Sequence, residues 1–596
     1  MNLTTAVCAI FLGSAAAPTD AATVRFDVSS FLEEHAGDSV YQYDVIKFTT
    51  ALQGLVNRDG PRLLLRYLQG SGQGERVNLD DYWLERAEWD ALDTESMIAA
   101  GSFHEVLEHF EETVSNGVVV WDPEVPATAN VASTVCGVEG WLPVRADSRL
   151  YGELVDGRGI PVRLSLVDRF DGSESGSAKC DAYLWAKREY LEEGRCHPSL
   201  MAYYMDAYSQ RPGEDGFQYP DLSNSTLFNR DYYIMHRAFF FDLSPWGDEA
   251  PVDCPEQPLG TDRATLRAIL AAQARANGGE TFTSIGGFVP WNLKYTSRGV
   301  AGGQHEPVAT EWEATALFSA YNAFKDADAL SLVALTNASA LSQVPLNEPF
   351  EQNPRPEPRP LEDKTFVLVY MGDYDSAAWL SRHIPSVWDD PGRGRIPMAW
   401  AFNPNLAERV PYVFNHIYRT KSSQDWFIAG NCGAGYLNPN LLAGERLGSG
   451  LPDALELWAT HNQDWFERFD YSITGFIISG THGNLPLRVQ EVYASFSPDG
   501  VGTQLDFEQD IVNGVPFLRH AQDIYPNLRN LDATAEQMNR SGQGEKPQFV
   551  IFRMILQRPS TVASLEERLR ELFPERDYAF VDPYTFFDLY ARSLER

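Results

Sequence analysis

The chain has 596 residues, 44% hydrophobic and 12% aromatic, and its 83 acidic against 48 basic residues give a formal net charge of -35. That length exceeds what one hydrophobic core usually holds, so two or three domains are expected, with the composition of a globular protein rather than a disordered or collagenous one. An anionic surface of this strength excludes broad binding to nucleic-acid backbones, which requires a cationic face.

Residues 1–22 read as a signal peptide, because the apolar run Ala6 to Ala17 is followed by small residues that suit a cleavage site. No later run is long and apolar enough to span a bilayer, so a secreted or extracytoplasmic protein is expected. Beyond the leader stand Cys136, Cys180, Cys196, Cys254 and Cys432, an odd number, and a Cys180–Cys196 disulfide would close a short loop. No C-x-x-C or His-rich spacing points to zinc, and no metal or cofactor is expected.

Residues 23–344 read as a mixed α/β region, in two subdomains. A helix-like stretch, Val45 to Val56, leads through N-R-D-G-P to a strand at Arg62 to Tyr67. Further strands are expected at Val118 to Trp121, Tyr232 to Phe241 and Thr281 to Val289, with helices at Thr261 to Ala276 and Glu311 to Phe324. The closely spaced prolines of Pro345 to Pro360 deny helix and ladder hydrogen bonds, so residues 345–363 read as an extended linker. In residues 364–596 short apolar runs recur at Phe366 to Met371, Pro397 to Phe402, Trp426 to Ala429, Thr474 to Ser479 and Phe549 to Met554, most followed by a polar loop and then helix-like sequence. This alternation predicts a parallel β-α domain, either barrel-like or an open sheet.

Ligands of parallel α/β folds bind at the carboxyl ends of the strands. At those positions the sequence places G-D-Y-D-S with Asp373 and Asp375, F-N-P-N with Asn403 and Asn405, G-N-C-G-A-G-Y, and G-T-H-G-N with His482. Paired carboxylates suit glycosyl transfer, in which one group protonates the leaving oxygen and another attacks the sugar or activates water; two aspartates in a turn also suit ordinary Asx-turn chemistry. The loop Gly433 to Pro439 offers two glycines for close backbone approach and Tyr436 for stacking on a sugar face, or it is a tight strand-to-helix turn. It lacks a full phosphate-binding pattern, and no G-x-S-x-G nucleophile elbow occurs. In the first half, Trp291, Lys294, His305, Glu311 and Trp312 crowd together, as in a carbohydrate site or a domain interface.

Gly433 to Pro439 resembles the signature of the GxGYxYP proteins, a mostly exported group classed with glycoside hydrolases, with Asn438 standing where the signature has its second tyrosine. Ala51 to Leu63, Gly117 to Pro143, Gly286 to Ala338, D-D-P-G-R-G-R-I-P and the closing V-D-P-Y-T-F-F are similar to the same family. The resemblance implies a secreted carbohydrate-active protein taking a poly- or oligosaccharide. Within that reading Asp373 and Asp375 are the catalytic candidates; Tyr436, Gly433, Gly435, Asn403, Asn405, His482, Trp291 and Glu311 are the substrate-binding candidates. Two alternatives stand beside it: a metal-dependent carbohydrate esterase or deacetylase using Asp373, Asp375 and His482 as ligands, and a non-catalytic glycan-binding protein.

Overall fold

The computed structural model describes residues 22–595 apart from 68, 71–75, 78, 90–91, 93–95, 207–229, 252, 288–296, 298–303, 327–334 and 447. The leader-like residues, Trp291 and Lys294 therefore lie outside the described residues.

The first half is mixed α/β, built on three small parallel sheets. Val24–Asp27 lies between Leu63–Arg66 and Ile98–Ala100, and Val118–Trp121 lies between Leu142–Arg145 and Val162–Ser165. The third sheet has four strands in the order Phe239–Phe241, Leu200–Tyr203, Thr283–Gly286, Ala323–Asp326. The helix Thr261–Ala276 forms as its spacing predicts.

Three expectations in this half are corrected. The aromatic run expected as a strand from Tyr232 is a helix, Arg230–Met235, and the strand begins only at Phe239. Packing overrides β propensity here: that helix crosses the helix Ser39–Val56 at Gly54, where a Cβ would stand 2.5 Å from the Asp231 carbonyl. The helix expected over Glu311 to Phe324 instead spans Pro307–Ser319, with proline in its first turn. Asn322 then turns left-handed, with φ of 56°, and Ala323–Asp326 enters the sheet as a buried strand. The five described thiols are unpaired, so the Cys180–Cys196 bridge is absent.

Residues 345–362 contain neither helix nor strand, yet they do not hang free. Phe350 is buried and stacks on Phe469 at 4.6 Å. The Gln352 carboxamide accepts from the Phe427 N–H (3.1 Å) and donates to the Phe427 carbonyl (2.5 Å), taking the place of a neighbouring strand. Asn353 donates to the Ser422 and Asp425 carbonyls, both at 2.8 Å. The proline-rich run is a strap laid across the second half.

That half is a parallel β-α domain whose ten-stranded sheet curls into a half-barrel. Its longest strand, Thr365–Tyr374, is buried along almost its whole length, between Met398–Phe402 and Gln548–Ile555. From Met398–Phe402 the sheet continues outward through Asp425–Asn431, Ile473–Ile477, Gly500–Thr503 and Val515–Arg519, all parallel. One hydrophobic core runs through both halves, from Val24 to Tyr578. At their junction the Trp83 indole packs on Tyr412 (5.0 Å) and donates to the Ser381 carbonyl (2.7 Å).

Candidate active site

The polar groups converge where the carboxyl ends of the large sheet meet the last strand of the four-stranded sheet. Strand Thr365–Tyr374 loses register with its neighbour between Met371 and Tyr374, and Asp373 there has φ of 68°. Such an irregularity re-aims side chains at a sheet's rim. Asp373 pairs with the Arg553 guanidinium from strand Gln548–Ile555, which also holds Asp523 at 3.2 Å and lies 4.6 Å over the Phe476 ring. Asp375 is 8% exposed and accepts a 2.7 Å hydrogen bond from the Asn431 carboxamide at the end of strand Asp425–Asn431. Asn403 braces that group from below, its Nδ2 donating to the Asn431 carbonyl at 3.2 Å.

The first half contributes the remaining charges. Helix Pro307–Ser319 carries Glu311 and strand Ala323–Asp326 carries Lys325, and the two pair at 2.9 Å. The Lys325 ammonium stands 4.3 Å over the buried Tyr436 ring, while its backbone N–H donates to the Tyr436 carbonyl at 2.8 Å. Tyr436 is 2% exposed there, with an ammonium over its ring.

The loop Gly433 to Pro439 is the fastener between the halves. At Gly433 (φ 109°) a Cβ would meet Asn462 Oδ1 at 2.1 Å, and at Gly435 (φ 141°) it would meet the Phe324 ring at 2.6 Å, so both glycines are required by backbone and space together. Asn462 Oδ1 accepts from the Ala434 N–H at 2.8 Å, and the Ala434 carbonyl accepts from His461 Nε2 at 2.8 Å. Asn438, in the place of the signature's second tyrosine, ties the loop to both sides: its N–H donates to Ser319 Oγ and its Nδ2 to the Ser479 carbonyl, each at 2.8 Å.

Thus Asp373, Asp375, Glu311, Tyr436 and, through Asn431, Asn403 come together around one point, framed by Gly433 and Gly435. Asn405 does not join them; it lines a separate cavity. His482 lies exposed on the loop after strand Ile473–Ile477, where its carbonyl accepts from Asn440 Nδ2 at 3.0 Å. Among the described residues no three His, Cys, Asp or Glu side chains are arranged to hold a metal ion. Trp312, half-buried beside Glu311, packs over Gly480, where a Cβ would stand 3.2 Å from its ring.

The electrostatics separate the two aspartates. Burial, and then the neighbouring Asp373 charge, push the Asp375 carboxyl up to about 7, with Lys325 pulling the other way. Burial also raises Asp373, against the Arg553 guanidinium that favours its charged form. Near neutrality one carboxyl is therefore partly protonated, with no ion pair on its oxygens among the described residues, while the other sits directly on a guanidinium. Behind them, burial holds the His520 imidazole down to about 3, so it stays neutral and bonds the Gly475 carbonyl at 2.7 Å.

Residues 363–591 match the sequence model described as the GxGYxYP putative glycoside hydrolase C-terminal domain. No protein of curated function matches the chain. Among solved structures, one described as a putative hydrolase from Bacteroides thetaiotaomicron is similar over 98% of this chain and 99% of its own, with a TM-score of 0.65 and 14% identity, and so shares the fold. A second, described as a putative polysaccharide deacetylase from Mycobacterium smegmatis, is 14% identical over 41% of this chain and 96% of its own; its TM-score of 0.27 carries no inference.

Proposed function

We propose that this chain, whose C-terminal domain belongs to the GxGYxYP family, is an exported carbohydrate-active hydrolase that cleaves a glycosidic bond in a poly- or oligosaccharide. The observation that carries this reading is the pair of adjacent strand-end carboxyls in unlike environments, Asp375 buried and accepting from Asn431 and Asp373 held against Arg553. Asp375 is the general acid that gives its proton to the leaving oxygen. Asp373 is the carboxylate that attacks the sugar carbon or activates water. Arg553 keeps Asp373 charged and oriented between two strands, and Asn431 fixes the Asp375 rotamer. In this reading Glu311 meets sugar hydroxyls and the half-buried Trp312 a ring face. Export is read from the leader-like residues 1–22.

Purified protein incubated with a panel of oligo- and polysaccharides is expected to release new reducing ends. Asp373→Asn should lower that rate by about 10³-fold or more with unchanged circular dichroism. Absence of cleavage across the panel, or full activity in Asp373→Asn, would overturn the reading.

Lys325 tests the electrostatic part of it. Because its charge lowers the Asp375 proton affinity, Lys325→Met should move the alkaline limb of the rate profile to higher pH. It should also destabilise the fold by about 3 kcal/mol, by leaving Glu311 without its buried partner. An alkaline limb that stays in place would separate Lys325 from the acid.

A further inference from the structure

Strand Gln522–Ile524 ends the path of the large sheet on the side of Arg553. Its register sets Asp523 opposite Arg553, and Arg553 opposite Tyr370 of the central strand. Asp373 lies three residues beyond that row and Tyr525 two, so they stand at nearly one height on the rim, two strand spacings or about 10 Å apart. Ile524 is fully buried, so strand alternation turns Asp523 and Tyr525 to the other face. On that face Asp523 meets the Arg553 guanidinium at 3.2 Å. Tyr525 is 64% exposed, and among the described residues no other Phe, Tyr or Trp is exposed; Leu528, on the same turn, is 73% exposed. The turn is held in place. Pro526 confines Tyr525 to extended backbone, the Asn527 N–H donates to Thr534 Oγ1 (3.0 Å), and Asn527 Oδ1 accepts from the Arg529 N–H (3.0 Å). Asn530 then caps helix Leu531–Ser541, accepting from the Ala533 N–H at 3.2 Å. The Asp373 centre reaches the ring electrostatically: partial burial and the Asp523 and Asp373 charges raise the Tyr525 hydroxyl, with Arg553 pulling the other way. On the opposite side of Asp373, three strands along the sheet, Trp312 packs over Gly480 beyond the end of Ile473–Ile477. Two aromatic side chains thus bracket the carboxyl pair along a line across the strand ends.

We propose that Tyr525 is the platform for a sugar unit neighbouring the one under attack, which makes the substrate a chain of several units rather than a short glycoside. This inference rests on the hydrolase reading above. A tyrosine ring covers the apolar C–H face of a sugar while its hydroxyl bonds a sugar hydroxyl, at little entropic cost when the ring is already held. Leu528 adds apolar surface on the same turn. The separation from Asp373 places the stacked unit beside the reacting one, so Tyr525 contributes binding along the chain and takes no part in proton transfer.

Disaccharides and pentasaccharides derived from cellulose, xylan, mannan and chitin, titrated calorimetrically into the full chain and assayed for new reducing ends, test this. A pentasaccharide should bind at least about tenfold more tightly than the disaccharide of the same sugar. Tyr525→Ala should weaken the pentasaccharide about tenfold and raise its KM alike with kcat little changed, while leaving the disaccharide unaffected. Tyr525→Phe, which keeps the ring, should recover most of the loss. Cleavage of a pentasaccharide that Tyr525→Ala binds as tightly as wild type would overturn the platform and leave the hydrolase reading standing. Binding that depends on Tyr525, with no cleavage of any sugar, would support the platform and overturn the hydrolase reading alone. Binding of no oligosaccharide, or a self-association of the wild type in sedimentation that Tyr525→Ala abolishes, would overturn the assignment.

Discussion

Asp375→Asn should lower kcat by about 10³-fold or more while the protein folds normally. The amide keeps the size and the oxygen that accepts from Asn431, but it has no proton to give a leaving group. The same group sets the pH dependence. With its carboxyl pushed up to about 7 by burial and Asp373, the wild-type rate should fall as pH rises through that value. A stability signature accompanies the loss of rate. In the unfolded chain the carboxyl loses its proton near about 3.9, whereas in the fold it keeps it, so the folded state holds the extra proton between roughly pH 4 and 7. Stability contributed by this group therefore declines as pH rises through that window, and asparagine pays no such cost. The melting temperature of Asp375→Asn minus that of wild type should become more positive from pH 4 to 7 and then level off. A variant keeping more than about a tenth of the activity, or a difference in melting temperature flat across the window, would count against the assignment.

Gly435→Ala should be the most damaging small substitution in the signature loop. At φ of 141° an L residue is strained, and its Cβ would overlap the Phe324 ring at 2.6 Å. Strain and overpacking together should cost on the order of 3 kcal/mol or more. The damage should not stay local, since Phe324 adjoins Lys325, whose backbone is tied to the Tyr436 carbonyl. Shifting that strand displaces the Lys325 ammonium from Glu311, so activity should fall even in protein that remains folded. Gly444→Ala is the control: it too has positive φ (69°), but nothing lies within 4 Å of the added carbon, so it should cost about 1 kcal/mol. Urea midpoints compare the two, and equal midpoints would mean the Phe324 contact yields without cost.

The five strands of the second half that the sequence makes legible are runs of apolar residues ending in polar turns, and that pattern survives because a parallel sheet is buried on both faces. Gly500–Thr503 escapes such a reading because it is short and half glycine. The carboxylates were legible for the same reason as the strands, since Asp373 and Asp375 stand directly after an apolar run. Lys325 and Arg553 were not singled out. Each sits inside a strand that reads as core, A-F-K-D and F-V-I-F-R-M-I, and a charge in that position is itself the signal: it costs too much to bury unless something of opposite sign waits beside it. What no run of residues discloses is that the Glu311 segment and the Asp373 segment share a centre, because that contact depends on how two sheets dock. Asn405 illustrates the reverse case: two positions from Asn403 in sequence, it faces another space.

The origin of Lys325 and Glu311 makes the proposed reaction centre a joint product of two lengths of chain. Asp375 and Asp373 belong to the segment, residues 363–591, that the C-terminal domain model matches, while Lys325 is upstream of it. A C-terminal domain detached from its upstream half, by gene fission or by a truncated expression clone, would keep both aspartates and the signature yet lose the Lys325 charge that holds the Asp375 proton affinity down. On the proposed function, presence of the motif and competence for chemistry are separable properties, and the docking of helix Pro307–Ser319 bears on the second alone.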